Sequence, residues 1–329
     1  GMMTYGIPSF KLEKTIIDAE IQVLRELGVE IRCGVEVGRD VTIPQLREQG
    51  FLAFYIAIGC QGGRLPGVPG EHAAGTDIAV HFLHEALADE NQHMDGRVVV
   101  IGGGNVAVDC ARTAVRFGAE AVSMVCLESR DTMPASKDEI AEAEEEHIEI
   151  HTGWGPKELL QDESGHVTAV VFKKCLRTID PETGKFAPVY DEAETITLPA
   201  DHVVFAIGQA IEWGGLLKDT KVTFHRGNYP VADPLTYQTA EADIFVGGDV
   251  YHGPKFVIDA IEEGKCAAES LHRYVHKGAS LTIGRNRRDF YELDKTNLAL
   301  GDYDRAPRQA AGMDDAIDAH RSFRDAHLT

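Results

Sequence analysis

One short run limits what this chain can fold into. Residues 97–101 (R-V-V-V-I) lead directly into Gly102-Gly103-Gly104-Asn105-Val106-Ala107, and an amphipathic stretch follows that stops at Gly118. A buried strand, a glycine turn and a helix in that order, with a second apolar run at 121–125, predict a β-α-β unit. The six turn residues match G-x-G-x-x-A. In that pattern Gly102 allows the tight turn, Gly104 lets the backbone approach a pyrophosphate, and Ala107 is small enough for the helix to pack closely on the strand. The helix start then offers unpaired amides and a partial positive charge to the phosphates. The competing reading is a glycine-rich turn that only packs. The strand before it and the helix after it favour dinucleotide binding.

The residue ending the second strand reads the ribose: an acid bonds the 2′-hydroxyl of NAD, and basic residues accept the 2′-phosphate of NADP. Glu128 lies 21 residues after Ala107, close to the usual offset of about 20. It argues for NAD(H). Arg130, two residues on, is a cation able to meet a phosphate, so the sequence keeps both nucleotides in view.

Composition narrows the class further. The chain has 329 residues, 43% of them hydrophobic, enough for about two globular domains. Its apolar runs stop short of the roughly 18 residues of a membrane helix, and its start lacks the pattern of a secretory leader. A net charge of −21 disfavours nucleic acid and anionic lipid as partners. The six cysteines (33, 60, 110, 126, 175 and 266) form no C-x-x-C. That pattern contains neither a redox dithiol nor a metal or iron–sulfur ligand set, and it suits a reduced, cytoplasmic setting.

Along the chain, residues 15–28 predict a helix capped at Gly28 and residues 51–59 a buried strand, followed by a turn-rich crossover at 63–72. Residues 136–150 predict a helix with Ser136 as N-cap and Glu139 as its capping-box partner, its glutamates forming a solvated face. Residues 166–209 read as an antiparallel excursion returning to a buried strand. Residues 242–250 give another strand, with a helix beginning near Lys255 and Pro254 in its first turn. Beyond about Lys277 the periodicity fades. The fourteen histidines are expected on the surface, none of them catalytic.

Together, Y-G-I-P-S-F-K-L-E-K (5–14), I-A-I-G-C-Q-G-G-R-L-P-G-V-P-G-E (56–71), the run 98–120, M-P-A-S (133–136), V-V-F-A-I-G-Q (203–209) and the run 243–265 resemble the small (beta) subunit of glutamate synthase and related NAD(P)H:flavin modules. The resemblance spans most of the chain, from Tyr5 to about Tyr274. It implies an α/β fold of two dinucleotide-binding domains, with a Rossmann-like NAD(P)H domain (96–207) inserted into an FAD domain (1–95 and 208–276), and a C-terminal extension (277–329). It implies Gly208 and Gln209 as further NAD(P)H contacts. For FAD it implies Ile7, Pro8 and Lys11 along the isoalloxazine, Gly59 at a close crossing, Gly248 and Asp249 at the ribityl chain, and Lys255 at a helix start aimed at the flavin.

Two departures carry weight. The family's FAD domain opens with its own G-x-G-x-x-G, expected before Tyr5, so the chain reads as truncated and is expected to bind FAD poorly or not at all. NADPH-using members have an Arg pair where this chain has Leu127-Glu128, which strengthens NAD(H). The implied activity is hydride transfer between nicotinamide and flavin, with electrons leaving to an iron–sulfur domain or subunit. A dithiol reductase is disfavoured by the missing C-x-x-C. A non-catalytic NAD-binding module of a larger complex is the other reading.

Overall fold

The computed structural model describes residues 1–285, Asp294, and Ser322 and Phe323. In chain order the helices are α1 (Met2–Tyr5), α2 (Lys14–Glu26), α3 (Ile43–Glu48), α4 (Ala79–Ala88), α5 (Asn105–Arg116), α6 (Lys137–Glu145), α7 (Asp249–His252) and α8 (Val257–Val275). The strands are β1 (Phe54–Ile56), β2 (Gly62–Gly63), β3 (Thr76–Ile78), β4 (Arg97–Ile101), β5 (Ala121–Cys126), β6 (Glu149–Thr152), β7 (Trp154–Gln161), β8 (Val167–Ile179), β9 (Phe186–Pro199), β10 (His202–Phe205), β11 (Gln209–Ala210) and β12 (Ile244–Val246). They form two compact units. The first holds residues 1–33, 60–212 and 322–323, and the second holds 34–59, 213–285 and Asp294. The units thus divide the 1–95 segment at 33/34 and 59/60, whereas the cofactor-domain boundaries read from the motifs keep it whole.

The first unit is built on a parallel five-stranded sheet in the order β3-β10-β4-β5-β6. Strand β4 lies at its centre, and Val98, Val99, Val100 and Ile101 are each at most 2% exposed. Side chains alternate between the faces of a strand, so a run with no polar residue requires cover on both sides. Val98 and Val100 pack with Cys110, Ala111 and Ala114 of α5 and with Phe82 and Leu83 of α4. Val99 and Ile101 pack against Leu159, Val167, Val170 and Phe172, which belong to the antiparallel sheet β7-β8-β9. That sheet is the expected antiparallel excursion, and it closes the second face.

Glu144 and Glu145 of α6 are exposed, as on the expected solvated face, but Glu139, Glu142 and Glu146 depart from it. Ser136 does cap the helix, accepting from the Glu139 amide at 3.2 Å. The Glu139 carboxylate, however, pairs with Lys11, which also pairs with Asp109. Glu142 pairs with Arg112. Glu146, just past the helix, takes Arg112 at 2.8 Å and Arg116 at 2.6 Å, and all three are buried. The physical reason is that α5 carries two arginines on an interior face, and α6 is the neighbouring element able to neutralise them. Phe10 covers this cluster, its ring 4.6 Å from the Arg112 guanidinium and 3.8 Å from that of Arg116. From the tail, Phe323 packs on Phe10 and Phe117 with centroids 6.3 and 5.5 Å away. The rest of the predicted C-terminal extension lies outside the described residues, apart from residues 277–285, Asp294 and Ser322.

The second unit pairs β1 in parallel with β12. Its core gathers Ile43, Ile56, Val222, Ile244 and Val246. Arg47 of α3 bridges Glu241 at 3.0 Å and Asp243 at 2.7 Å, just before β12. Helix α8 begins at Val257, two residues later than expected, because Pro254 belongs to the connection after α7. Among the described residues no helix is long and apolar enough to cross a membrane.

Burial alone would raise the Glu146 carboxyl; Arg116 and Arg112 outweigh it and hold it below the ordinary glutamate value. The folded value therefore lies below the unfolded one, so this stabilisation is present above the ordinary glutamate range and fades as pH falls through the folded value. Glu146→Ala leaves two buried guanidiniums short of counter-charge and is expected to cost about 3–5 kcal/mol. The measurement is the urea midpoint at pH 7; a midpoint equal to wild type refutes the assignment.

Candidate functional site: the glycine turn between β4 and α5

The three glycines answer different demands. Gly102 has φ +149, and a Cβ there would lie 2.4 Å from the carbonyl oxygen of Ala206. Its amide donates to Val125 at 2.8 Å, and the Ala206 amide donates to Ile101 at 2.8 Å. The turn is thus wedged where β4, β5 and β10 end. At Gly103 a Cβ would meet Cys126 Cβ at 2.9 Å and Glu128 Oε2 at 3.2 Å. Gly104, the N-cap of α5, has an ordinary φ of −95, and a Cβ there would meet no protein atom within 4 Å. Neither packing nor backbone conformation requires glycine at 104. Ala107 is fully buried at the helix–sheet contact, and Val106 packs at its margin.

The M-P-A-S segment is fastened to this turn. The Ala135 amide donates to the Gly103 carbonyl at 3.0 Å, and the Ser136 amide donates to the side-chain oxygen of Asn105 at 2.9 Å. Glu128 is half-buried after β5, with its carboxylate against Gly103. Arg130 is exposed and pairs with Glu144 at 2.6 Å. Gly208 has φ +121 beyond β10, and Gln209 pairs with Gly63 through β11 and β2. All of the nucleotide candidates therefore gather at the carboxyl ends of neighbouring parallel strands in the first unit.

The flavin candidates fall in both units. In the first, Pro8 is buried and Ile7 half-buried, and the Ile7 carbonyl accepts from Lys14. Lys11 is taken up by Asp109 and Glu139, an engagement the sequence did not foretell. Burial pushes the Asp109 carboxyl up to about 6, against the pull of Lys11. In the second unit Gly59 has φ +69 and Gly248 φ +75. The Gly248 amide donates to Glu263 at 2.5 Å, and Glu263 also contacts His252. Asp249 accepts from the Lys255 amide at 3.2 Å, and burial raises its carboxyl above the ordinary value. The Lys255 side chain is exposed. A Cβ on Gly247 would fall 2.1 Å from the Tyr55 hydroxyl. Glu263, only 5% exposed, escaped the sequence reading because adjacent glutamates in a helix look solvated. Cys110 and Cys126 are buried free thiols.

A match to the family model for pyridine nucleotide-disulphide oxidoreductases runs from residue 39 to 264. The chain belongs to that family. It is 33% identical over 333 residues to the NADP(+)-dependent formate dehydrogenase subunit beta of Moorella thermoacetica, covering 99% of this chain and 46% of the relative. It is 34% identical over 292 residues to the glutamate synthase [NADPH] small chain of Halomonas elongata, covering 84% of this chain and 60% of the relative. The chain therefore spans about half the length of these oxidoreductase relatives. FprA of Mycobacterium tuberculosis, solved in complex with NADPH, superposes with a TM-score of 0.65 at 17% identity over 84% of this chain and 75% of its own. That likeness concerns the fold: a pyridine nucleotide-disulphide oxidoreductase α/β architecture, as the motifs implied.

The two outer glycines of the turn separate in a stability experiment. Gly102→Ala is expected to lose at least about 2 kcal/mol, from backbone strain and a steric clash. Gly104→Ala, an exchange at an N-cap, is expected to lose no more than about 1 kcal/mol. Equal melting of the two variants would refute the division of roles.

Proposed function

We propose that this chain carries the nicotinamide-nucleotide site, and residues of the flavin site, of a flavin-dependent oxidoreductase that passes hydride between NAD(H) and FAD and electrons onward to an iron–sulfur domain or subunit. The observation that supports this most is Gly104: a glycine at a helix N-terminus that its own surroundings do not demand, at the point where a diphosphate would approach. At the start of α5 the Asn105 and Val106 amides lack intrahelical acceptors, as at any helix start, whereas the Ala107 amide donates to the Gly104 carbonyl at 2.9 Å; the first two form the anion-binding end. FAD, when bound, supplies the electron-accepting ring for hydride transfer. Asp249 is the carboxylate offered to hydroxyl groups of such a ligand, and Gly248 is held for it by Glu263. The protein's part is to bind and orient the nucleotide; no side-chain nucleophile is assigned.

The relatives' names carry NADP(+) and NADPH. Glu128 supports NAD(H) for this chain, because a carboxylate beside Gly103 bonds ribose hydroxyls and repels a 2′-phosphate. Arg130 is exposed and already has a carboxylate partner in Glu144 at 2.6 Å. The second reading, a nucleotide-binding module without turnover, is supported by the engagement of Lys11, a flavin candidate, by Asp109 and Glu139. Dye reduction by NADH, with and without added FAD, separates the two.

Titration with NADH and NADPH tests the nucleotide. Wild type is expected to bind NADH more tightly, and Glu128→Ala to lose about 1.5–3 kcal/mol of NADH affinity, the worth of a hydrogen bond to a charged group, while NADPH binding holds or improves. Tighter binding of NADPH by the wild type would refute the preference. Gly104→Ala should weaken both nucleotides about equally.

A further inference from the structure

The first unit's sheet has a switch point. From β4 the chain passes through α5 to β5 on one side, while β10 occupies the other. In open parallel sheets the crevice beyond the carboxyl ends of two such strands is where ligands bind. Gly102 follows β4 there and Ala206-Ile207-Gly208 follow β10, so backbone forms both flanks.

A third element reaches the same place. Strand β2 pairs antiparallel with β11, Gly63 opposite Gln209 and Gly62 opposite Ala210. The pairing needs glycine at 63, where a Cβ would lie 2.7 Å from Ile78 Cβ; a Cβ at 62 would meet a Glu212 carboxylate oxygen at 3.0 Å, the flexible end of a side chain. Arg64 is the next residue. Its Nε–H donates to the Gln209 carbonyl at 3.2 Å, and its Cδ lies 3.5 Å from where a side chain on Gly208 would begin. The residue is otherwise exposed and, among the described residues, makes no ion pair. A guanidinium fixed at Nε keeps its two terminal nitrogens for another acceptor, in the planar fork that suits phosphate oxygens.

Charge makes the position significant. A dinucleotide diphosphate brings two negative charges to a protein whose own net charge is −21. The glycine turn supplies amides only. Beside it stand Glu128, an acid, and Arg130, already paired with Glu144. Arg64 is anchored at the crevice with its charge uncompensated.

We propose that Arg64 is a further nucleotide-binding residue, whose guanidinium clamps the diphosphate of the bound dinucleotide from the β10 side of the crevice. This rests on the reading of Gly102–Gly104 as the nucleotide turn. The test is equilibrium binding of NADH, ADP-ribose and adenosine to the full chain and to its Arg64→Ala and Arg64→Lys variants. Arg64→Ala is expected to weaken NADH and ADP-ribose alike, by roughly 10- to 100-fold, and to leave adenosine unchanged; Arg64→Lys should recover part of the loss. Unchanged binding in Arg64→Ala overturns the proposal and leaves the nucleotide turn standing. A loss confined to NADH also overturns it, placing Arg64 at the nicotinamide end. A wild type that binds none of the three removes the nucleotide reading and this inference together. Matching melting curves for wild type and variants keep misfolding out of the comparison.

Discussion

The approach of Gly102 to the carbonyl of Ala206 governs the first unit. Two neighbouring parallel strands end at the same height, and the chain leaving one must turn sharply under the chain leaving the other. A side chain at 102 would occupy the place of the Ala206 oxygen, 2.4 Å from it. With glycine there, the turn closes, the Gly102 amide reaches Val125, and α5 starts two residues after Gly103 at an angle that lays Ala107, Cys110, Ala111 and Ala114 on the sheet. Close helix–sheet packing, the open face of Gly104 and the position of Glu128 all descend from that one backbone contact.

A second constraint is electrostatic. Helix α5 is buried nearly all round, and it carries Asp109, Arg112 and Arg116 into the interior. Buried charges must be paired, and the partners come from two directions: Glu139, Glu142 and Glu146 from the α6 region, and Lys11 from the N-terminal segment. Such networks often contribute more to uniqueness of arrangement than to net stability. Here they make residues 8–11 part of the first unit, with Phe10 lying across both guanidiniums.

Much of this was legible in the sequence. The run 97–118 showed its strand, turn and helix through local pattern, since each element's apolar spacing agrees with its burial. Ser136 showed its capping role because an N-cap is a local device. The inward turn of the α6 glutamates was hidden, because a helix rich in acids looks solvated unless one knows that arginines face it. Arg64 was hidden for a related reason. The crossover at 63–72 is written in glycine and proline, and nothing local reveals that Gly63 lets it pair with β11. Glu263 and the engagement of Lys11 depend likewise on partners far along the chain, so spacing carries no trace of them.

The fastening of residues 133–136 to the glycine turn has an evolutionary consequence. Surface connections generally accept added or deleted residues at small cost. The link from β5 to α6 is different, because its far end is tied by Ala135 to Gly103 and by Ser136 to Asn105. A change in its length would have to be absorbed between Leu127 and Pro134, or it would pull on the turn itself. Length variation in this loop is therefore constrained by its ties to the backbone of the glycine turn.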